Sequence, residues 1–409
     1  MKIIAKHSEG KMLKNDVFQI SEQAKAAKLI NPNVIDATVG AFYDEKGKLY
    51  KYKVIDKILK KLPDEEFYSY ASTSGGSAYR EAVLNWVFKD KRESLLQAKK
   101  YAFVATPGGT GAIFNSLYNS LDKGETLLLP NIYWGPYANM ASDQDLKVLE
   151  YSMFKKDSFN IEGFIEKAEE IIEKQNKLVT IINDPCHNPT GYTMKEEELA
   201  SVIEYMNSKK NTPCVLIYDI AYMDFSFNST IRNRFSLFKD AGENVLISIA
   251  FSGSKTFSVY GLRMGAAIYL GSDKEFLNEL QAIITFTGRT HWSNCTAAPI
   301  NMIVELDKKP KKYSDFMKQV VYAMEMLKER ADIFVSEAKE NGLSHYPYVE
   351  GFFITIPCNN LEKVIKNLND DGIYLVPVKG AVRVAICSLT KVAIQGLAKR
   401  IKTAIDLAN

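Results

Sequence analysis

The sequence predicts an α/β protein: a mostly parallel sheet covered by helices, followed by a smaller α/β unit. Two patterns carry that expectation. Between residues 100 and 270, short apolar runs, often β-branched, alternate with helix-like stretches, as strand–helix–strand units feeding a parallel sheet do. Near residues 301–312 the texture changes. A long helical pattern, two strand-like runs and two shorter helices then complete the chain. A length of 409 residues leaves room for two or three domains and for a large core without disulfide staples.

Taken in order, residues 1–40 read as a polar arm with a helix-like patch at 21–29. The strand-like runs are 101–105, 126–129, 178–182, 214–218, 244–251 and 266–270, with helix-like segments at 111–121 and 195–208. The basic cluster Lys308-Lys-Pro-Lys-Lys312 reads as a solvated connection. Beyond it, 313–340 is helical, 351–356 and 382–386 are strand-like, and 360–369 and 392–407 are helical.

Composition excludes several classes. Apolar residues make up 46% and charged residues 25%, an ordinary globular mixture. The net charge of +3 gives no electrostatic reason for a nucleic-acid or membrane partner. No apolar run approaches about 18 residues, so no membrane span is expected, and the first residues carry no evident secretory signal. Five scattered cysteines without a Cys-x-x-Cys pair fit mostly buried thiols in a reducing cytoplasm. The four histidines show no metal-ligand spacing. Neither a Gly-x-Ser-x-Gly elbow nor a phosphate loop ending in Gly-Lys-Ser/Thr occurs. Gly108-Gly-Thr-Gly111 begins like a dinucleotide loop but reaches Phe114 where the last glycine belongs.

The unusual residues follow the apolar runs, where α/β folds gather their binding groups. Ser252-Gly-Ser-Lys255 is followed by Arg263 in Gly261-Leu-Arg-Met-Gly265. A lysine between an apolar strand and small or aromatic residues is suited to a depressed pKa and to Schiff-base chemistry. The bland alternative is a capped turn with a structural arginine. Asn188-Pro-Thr-Gly191 reads as a turn or as an amide donor. Asp219 and Tyr222, in Tyr218-Asp-Ile-Ala-Tyr222, read as a helix cap or as a charge partner with a phenol beside it. Pro107-Gly-Gly-Thr-Gly111, between strand and helix, favours an anion such as phosphate. An amine, an acid, an amide, a phenol and a phosphate cradle together are the inventory that holds pyridoxal phosphate, whose protonated ring withdraws electrons.

With these motifs the chain resembles the class I aminotransferases of fold type I, particularly the aspartate and aromatic amino acid branch, in order and spacing over most of its length. The resemblance implies a seven-stranded, mostly parallel large-domain sheet and a small C-terminal domain joined by the N-terminal segment. The divisions would be 1–45, 46–305 and 306–409. It implies Lys255 as the Schiff-base lysine and proton carrier, and Asp219 as the partner of the pyridinium nitrogen. Asn188 and Tyr222 look like donors to the ring's phenolic oxygen, and Trp134 in Tyr-Trp-Gly looks like the stacking aromatic. Gly109, Thr110, Ser252, Ser254 and Arg263 match the phosphate cradle. Tyr70 matches the tyrosine that reaches the neighbouring subunit's phosphate, which implies a homodimer with shared active sites. Arg383 in Ala-Val-Arg-Val-Ala matches the grip on the substrate α-carboxylate, in a site that also takes in Asn188 and Trp134. Arg289 matches the arginine that reaches across the dimer to a side-chain carboxylate, although Cys295-Thr-Ala-Ala replaces the family's proline-rich continuation. Gly40 matches the loop that closes over substrate, with Val39 as an apolar wall. Asp184-Pro185 and Pro136-Tyr137 depart from the nearest pattern and leave the preferred amino acid open.

The implied activity is a ping-pong transfer of the α-amino group of aspartate, glutamate or an aromatic amino acid to a 2-oxo acid such as 2-oxoglutarate. A lyase or decarboxylase of the same fold is the alternative, told apart by its products. A non-catalytic regulator binding the same cofactor is a further alternative. It is disfavoured because such proteins carry a DNA-binding module and the near-neutral charge offers no basic one.

Overall fold

A computed structural model describes residues 3–13 and 17–409. The helix-like patch of the N-terminal arm lies within a helix, Val17–Ile30. The apolar runs form one sheet of β1 (Lys100–Pro107), β2 (Thr126–Pro130), β3 (Lys147–Tyr151), β4 (Leu178–Asn183), β5 (Cys214–Asp219), β6 (Val245–Phe251) and β7 (Met264–Gly271). Its spatial order is β1-β7-β6-β5-β4-β2-β3. Strand β7 is antiparallel to both neighbours, and the remaining pairs are parallel. Strands β4, β5 and β7 are buried along their whole length. That is why they read as continuous apolar runs. Strand β3 escaped the sequence reading: it is an edge strand, and Lys147-Val-Leu-Glu-Tyr151 keeps charges where a sheet edge needs them.

Helix α1 (Gly108–Ser120) begins three residues before the apolar periodicity does, because two glycines and a threonine make up its first turn. It packs on the sheet beside α2 (Lys274–His291), and together they close one of two hydrophobic clusters. The lysine cluster is mostly exposed, as expected of a solvated connection, and it joins two helices closely. One helix ends at Asp307, the long helix α3 (Pro310–Glu340) begins with Pro310, and Lys309 and Lys312 both pair with Glu305. The expected helix over 392–407 is broken into Lys391–Ile394 and Leu397–Asp406 at Gly396, whose φ of +76° ends the first piece.

A second sheet is formed by β8 (Phe353–Pro357), β9 (Val376–Val378) and β10 (Ala381–Ala385), antiparallel in the order β8-β10-β9. The N-terminal segment returns to this end of the chain, where Ile35–Asp36 pairs in parallel with Ile373–Tyr374. One continuous hydrophobic cluster runs from the large sheet to the small one. Among the described residues no helix is long and apolar enough to cross a membrane, and no cluster of metal-ligating side chains occurs. Because β4, β5 and β6 run parallel, the segments leaving their carboxyl ends share one edge of the sheet, and the small sheet faces it.

Candidate active site

Strand β6 delivers Lys255 on a short helix, Gly253–Thr256. Thr256 anchors that helix from behind: its hydroxyl donates to Asp224 at 2.7 Å, and Asp224 also accepts from Trp86 at 3.0 Å and from Arg232. The Lys255 Nζ donates to the Gly40 carbonyl at 2.9 Å. It lies 5.5 Å from the ring centre of Tyr222 and 5.1 Å from that of Tyr260. Burial pushes this amine down to about 8; Arg383 and Arg263 add to the effect, and Cys387 and Asp219 oppose it. An amine near neutrality can serve as nucleophile and as proton carrier.

Strand β5 ends at Asp219, which is buried and accepts from the Tyr137 hydroxyl at 2.5 Å and from the Ala221 N–H at 3.0 Å. Burial raises its carboxyl to about 6, against the pull of those two hydrogen bonds and the Lys255 charge. Tyr137 is a site residue the sequence reading missed, noted there only as a departure. It opens the helix Pro136–Asp143, and its ring meets Trp134 edge-on at 5.4 Å. A tyrosine three residues beyond the singled-out Trp134, in a first helical turn, was the available signal.

This geometry has a pH consequence. Between the ordinary value of 3.8 and about 6, the folded chain holds a proton on Asp219 that the unfolded chain has released. Stability from this group therefore falls as pH rises through that window. Tyr137→Phe removes a donor to the charged form and should extend the window upward. The Tm gap between cofactor-free variant and parent should widen with pH. A gap that stays constant would disconnect Tyr137 from the Asp219 charge.

The turn after β4 brings in Asn188. Its N–H donates to Asn183 Oδ1 at 2.7 Å, and its Nδ2 donates to the Tyr222 hydroxyl at 3.4 Å. Asn183 in turn donates to the Asp219 carbonyl at 2.9 Å and ties the two strand ends together. Arg383 comes from β10. It donates to Asn188 Oδ1 at 3.0 Å and to the Thr38 carbonyl at 2.6 Å, with its guanidinium 4.2 Å from the Phe353 ring centre. Its Nε is buried without a protein partner. A buried guanidinium with a spare donor is suited to an anion. Gly40 lies against the same ring: a Cβ there would stand 2.5 Å from Phe353 Cζ, so only glycine lets the loop pass. Asp184, the other departure, accepts from Arg234, from Tyr218 and, at 2.8 Å, from the Met194 N–H.

The opposite end of the site gathers groups that could hold an anion such as phosphate. Gly109 and Thr110 sit in the first turn of α1. Gly108 has φ +76°, and a Cβ there would lie 2.7 Å from Arg263 Nη2, so the guanidinium packs on bare backbone. Arg263 donates to the Tyr260 carbonyl at 3.0 Å and lies 3.5 Å from Ser254 Oγ. Ser252 stands beside Gly109, 3.3 Å from where its Cβ would be. A helix N-terminus, two hydroxyls and a guanidinium converge there.

Two of the expected residues do not join this group within one chain. Tyr70 is 92% exposed. Arg289, in the last turn of α2, donates to Ser293 Oγ at 2.6 Å and Asn294 Oδ1 at 3.1 Å. Asn294 donates to the Ala71 carbonyl at 2.7 Å, so Tyr70 and Arg289 occupy adjoining segments.

The model of the family "Aminotransferase class I and II" matches residues 32–401. The chain belongs to this family. A solved aminotransferase from Anaerococcus prevotii is 32% identical, covers 99% of this chain with 100% of its own, and superposes with a TM-score of 0.94. The mitochondrial aspartate aminotransferase of Dictyostelium discoideum is 22% identical over 378 residues, 90% of this chain and 86% of that one. The aromatic-amino-acid aminotransferase of Burkholderia pseudomallei, solved covalently bound to pyridoxal phosphate, shares the fold: TM-score 0.81, 20% identity, 98% of this chain and 100% of that one. The residues of this aminotransferase suit that cofactor on their own chemistry. They offer a near-neutral amine, a buried carboxylate without a cation of its own, and a phosphate cradle at the opposite end.

Proposed function

We propose that this aminotransferase works with pyridoxal phosphate and moves the α-amino group of aspartate, glutamate or an aromatic amino acid to a 2-oxo acid such as 2-oxoglutarate, in two ping-pong half-reactions. The observation that carries the reading is Lys255, an amine held near neutrality between two tyrosine rings, in a site that Asp219 shares. Gly109, Thr110, Ser252, Ser254 and Arg263 would hold the phosphate, Trp134 the ring face, and Asn188 and Tyr222 the phenolic oxygen. Bound there, the cofactor supplies an electron sink for bond breaking at the amino acid's α-carbon. Asp219 would keep the proton on the ring nitrogen. Arg383 would grip the α-carboxylate with its spare donor, and Gly40 would close over the substrate. Lys255 Nζ would take the α-proton and hold it for return on the cofactor's side of the amino nitrogen.

The same reading includes a homodimer with shared sites. It is supported by the exposure of Tyr70, by Arg289 on the adjoining segment, and by Ile283 and Phe286, exposed on α2. Five free thiols support a reducing compartment such as the cytoplasm. The test is the visible spectrum of the purified protein before and after single amino acids are added without an acceptor. Conversion of the cofactor to its aminated form supports transamination. A persistent band with every donor, or an eliminated product, would favour a lyase. If Arg289 reads the side chain, Arg289→Ala should raise KM for aspartate about tenfold or more and leave phenylalanine little changed. An equal rise for both would remove it from that role.

A further inference from the structure

Arg330 sits in the middle of α3, wholly buried, and no step above uses it. It donates to the Tyr43 carbonyl at 2.8 Å, to the Cys387 carbonyl at 3.0 Å, and to Glu45 Oε1 from two nitrogens at 2.9 and 2.7 Å. The other Glu45 oxygen accepts the Lys391 N–H at 2.9 Å. The guanidinium also lies 5.1 Å from the ring centre of Phe42. One side chain thus pins the loop over residues 40–45 to the long helix and to the turn after β10.

That loop carries two contacts to the reactive amine's surroundings. The Gly40 carbonyl accepts from Lys255 Nζ, and the Phe42 N–H donates to the Tyr260 hydroxyl at 2.9 Å, beneath the ring that flanks the amine. We propose that Arg330 is a positioning residue for Lys255: it fixes the 40–45 loop so that the Gly40 carbonyl and the Tyr260 ring enclose the amine. A fork of five donors satisfies two carbonyls and a carboxylate at once, which a single ammonium on a flexible stem does not. Stability alone is a poor account of the arrangement, because buried ion pairs are often replaceable by apolar side chains without loss. What the fork supplies is the register of the loop.

The inference rests on the assignment of Lys255 as the reactive amine. Its test needs neither cofactor nor substrate. Competitive acetylation of the cofactor-free chain, followed by mass spectrometry across a pH series, gives the titration midpoint of Lys255 directly. The parent midpoint is expected at about 8. Asp219, Tyr222, Tyr260, Arg263, Arg383 and Cys387 surround the amine, and the variants leave all six unchanged. Arg330→Lys keeps the charge and loses the fork. A loosened loop loses the Gly40 carbonyl acceptor, which lowers the midpoint, but it also admits water, and since burial is the main cause of the low value the net shift should be a rise of about one unit. Glu45→Gln should move it the same way by less. It serves alone if Arg330→Lys does not fold. In the loaded enzyme kcat/KM should fall about tenfold or more.

An unmoved midpoint in folded variants, whatever happens to their Tm, overturns the proposal. A parent without transaminase activity, whose variants still show the shift, would sink the functional reading and leave the clamp intact. An active parent with an unmoved midpoint would do the reverse.

Discussion

Replacing Lys255 with alanine should lower transaminase turnover by about 10⁴-fold or more, because in the proposed mechanism one amine serves as both nucleophile and proton carrier. The loss should fall on kcat, measured at saturating donor and acceptor. The chain should still fold. The Lys255 amine is pushed down to about 8 from the ordinary 10.5. Between those values the unfolded chain holds a proton that the folded one has shed, so this group makes stability rise with pH across that window. The cofactor-free variant should lack that slope, and near pH 7 it should melt no lower than the parent, since a buried charge has gone. Turnover within about tenfold of the parent would remove Lys255 from the chemistry.

Asp219→Asn should cost about 10²- to 10³-fold in kcat, the scale for losing one preorganised electrostatic partner of a reacting group. The substitution keeps the shape: its amide oxygen can accept from the Ala221 N–H and its NH2 can donate to the Tyr137 hydroxyl, which also accepts, so folding should be spared. It removes the carboxylate that would keep a ring nitrogen protonated. The carboxyl's value of about 6 in the cofactor-free chain reflects burial, which outweighs its two hydrogen bonds and the Lys255 charge. Its removal should therefore raise cofactor-free stability above pH 6 even as activity collapses. Loss of stability together with activity would mean Asp219 is mainly a structural acceptor. Unchanged kcat would give the ring-partner role to another group.

The large sheet was legible because its central strands are buried on both faces, so six of the seven read as apolar runs. Strand β3 was hidden by its own protection, since an edge strand that alternates charge with Val148 and Leu149 looks like loop. The first turn of α1 was hidden for a functional reason: Gly108 and Gly109 make way for Arg263 and Ser252, and no apolar period marks them. Lys255, Asp219, Asn188 and Arg383 could be picked out because each follows or lies in a strand-like run with a distinctive neighbour. Tyr137, Asn183, Tyr260 and Arg330 could not. Their roles depend on partners 82, 36, 218 and 285 residues away, and the one local hint was the place of Tyr137 three residues beyond Trp134.

Arg383 meets the Thr38 carbonyl across 345 residues of chain. On a ribosome, at about 5–20 residues per second, the N-terminal loop would wait roughly twenty seconds to a minute for that partner. By then β1 to β7 have all emerged. The first turn of α1, Asp219 and Lys255 can therefore assemble before Arg383 is in place. A nascent chain stalled before β10 would carry an amine and an acid open to water, without the Arg383 guanidinium over them. Under the proposed function, translation order places discrimination last, and a truncated chain should be recognisable as one that takes up cofactor but holds no amino acid.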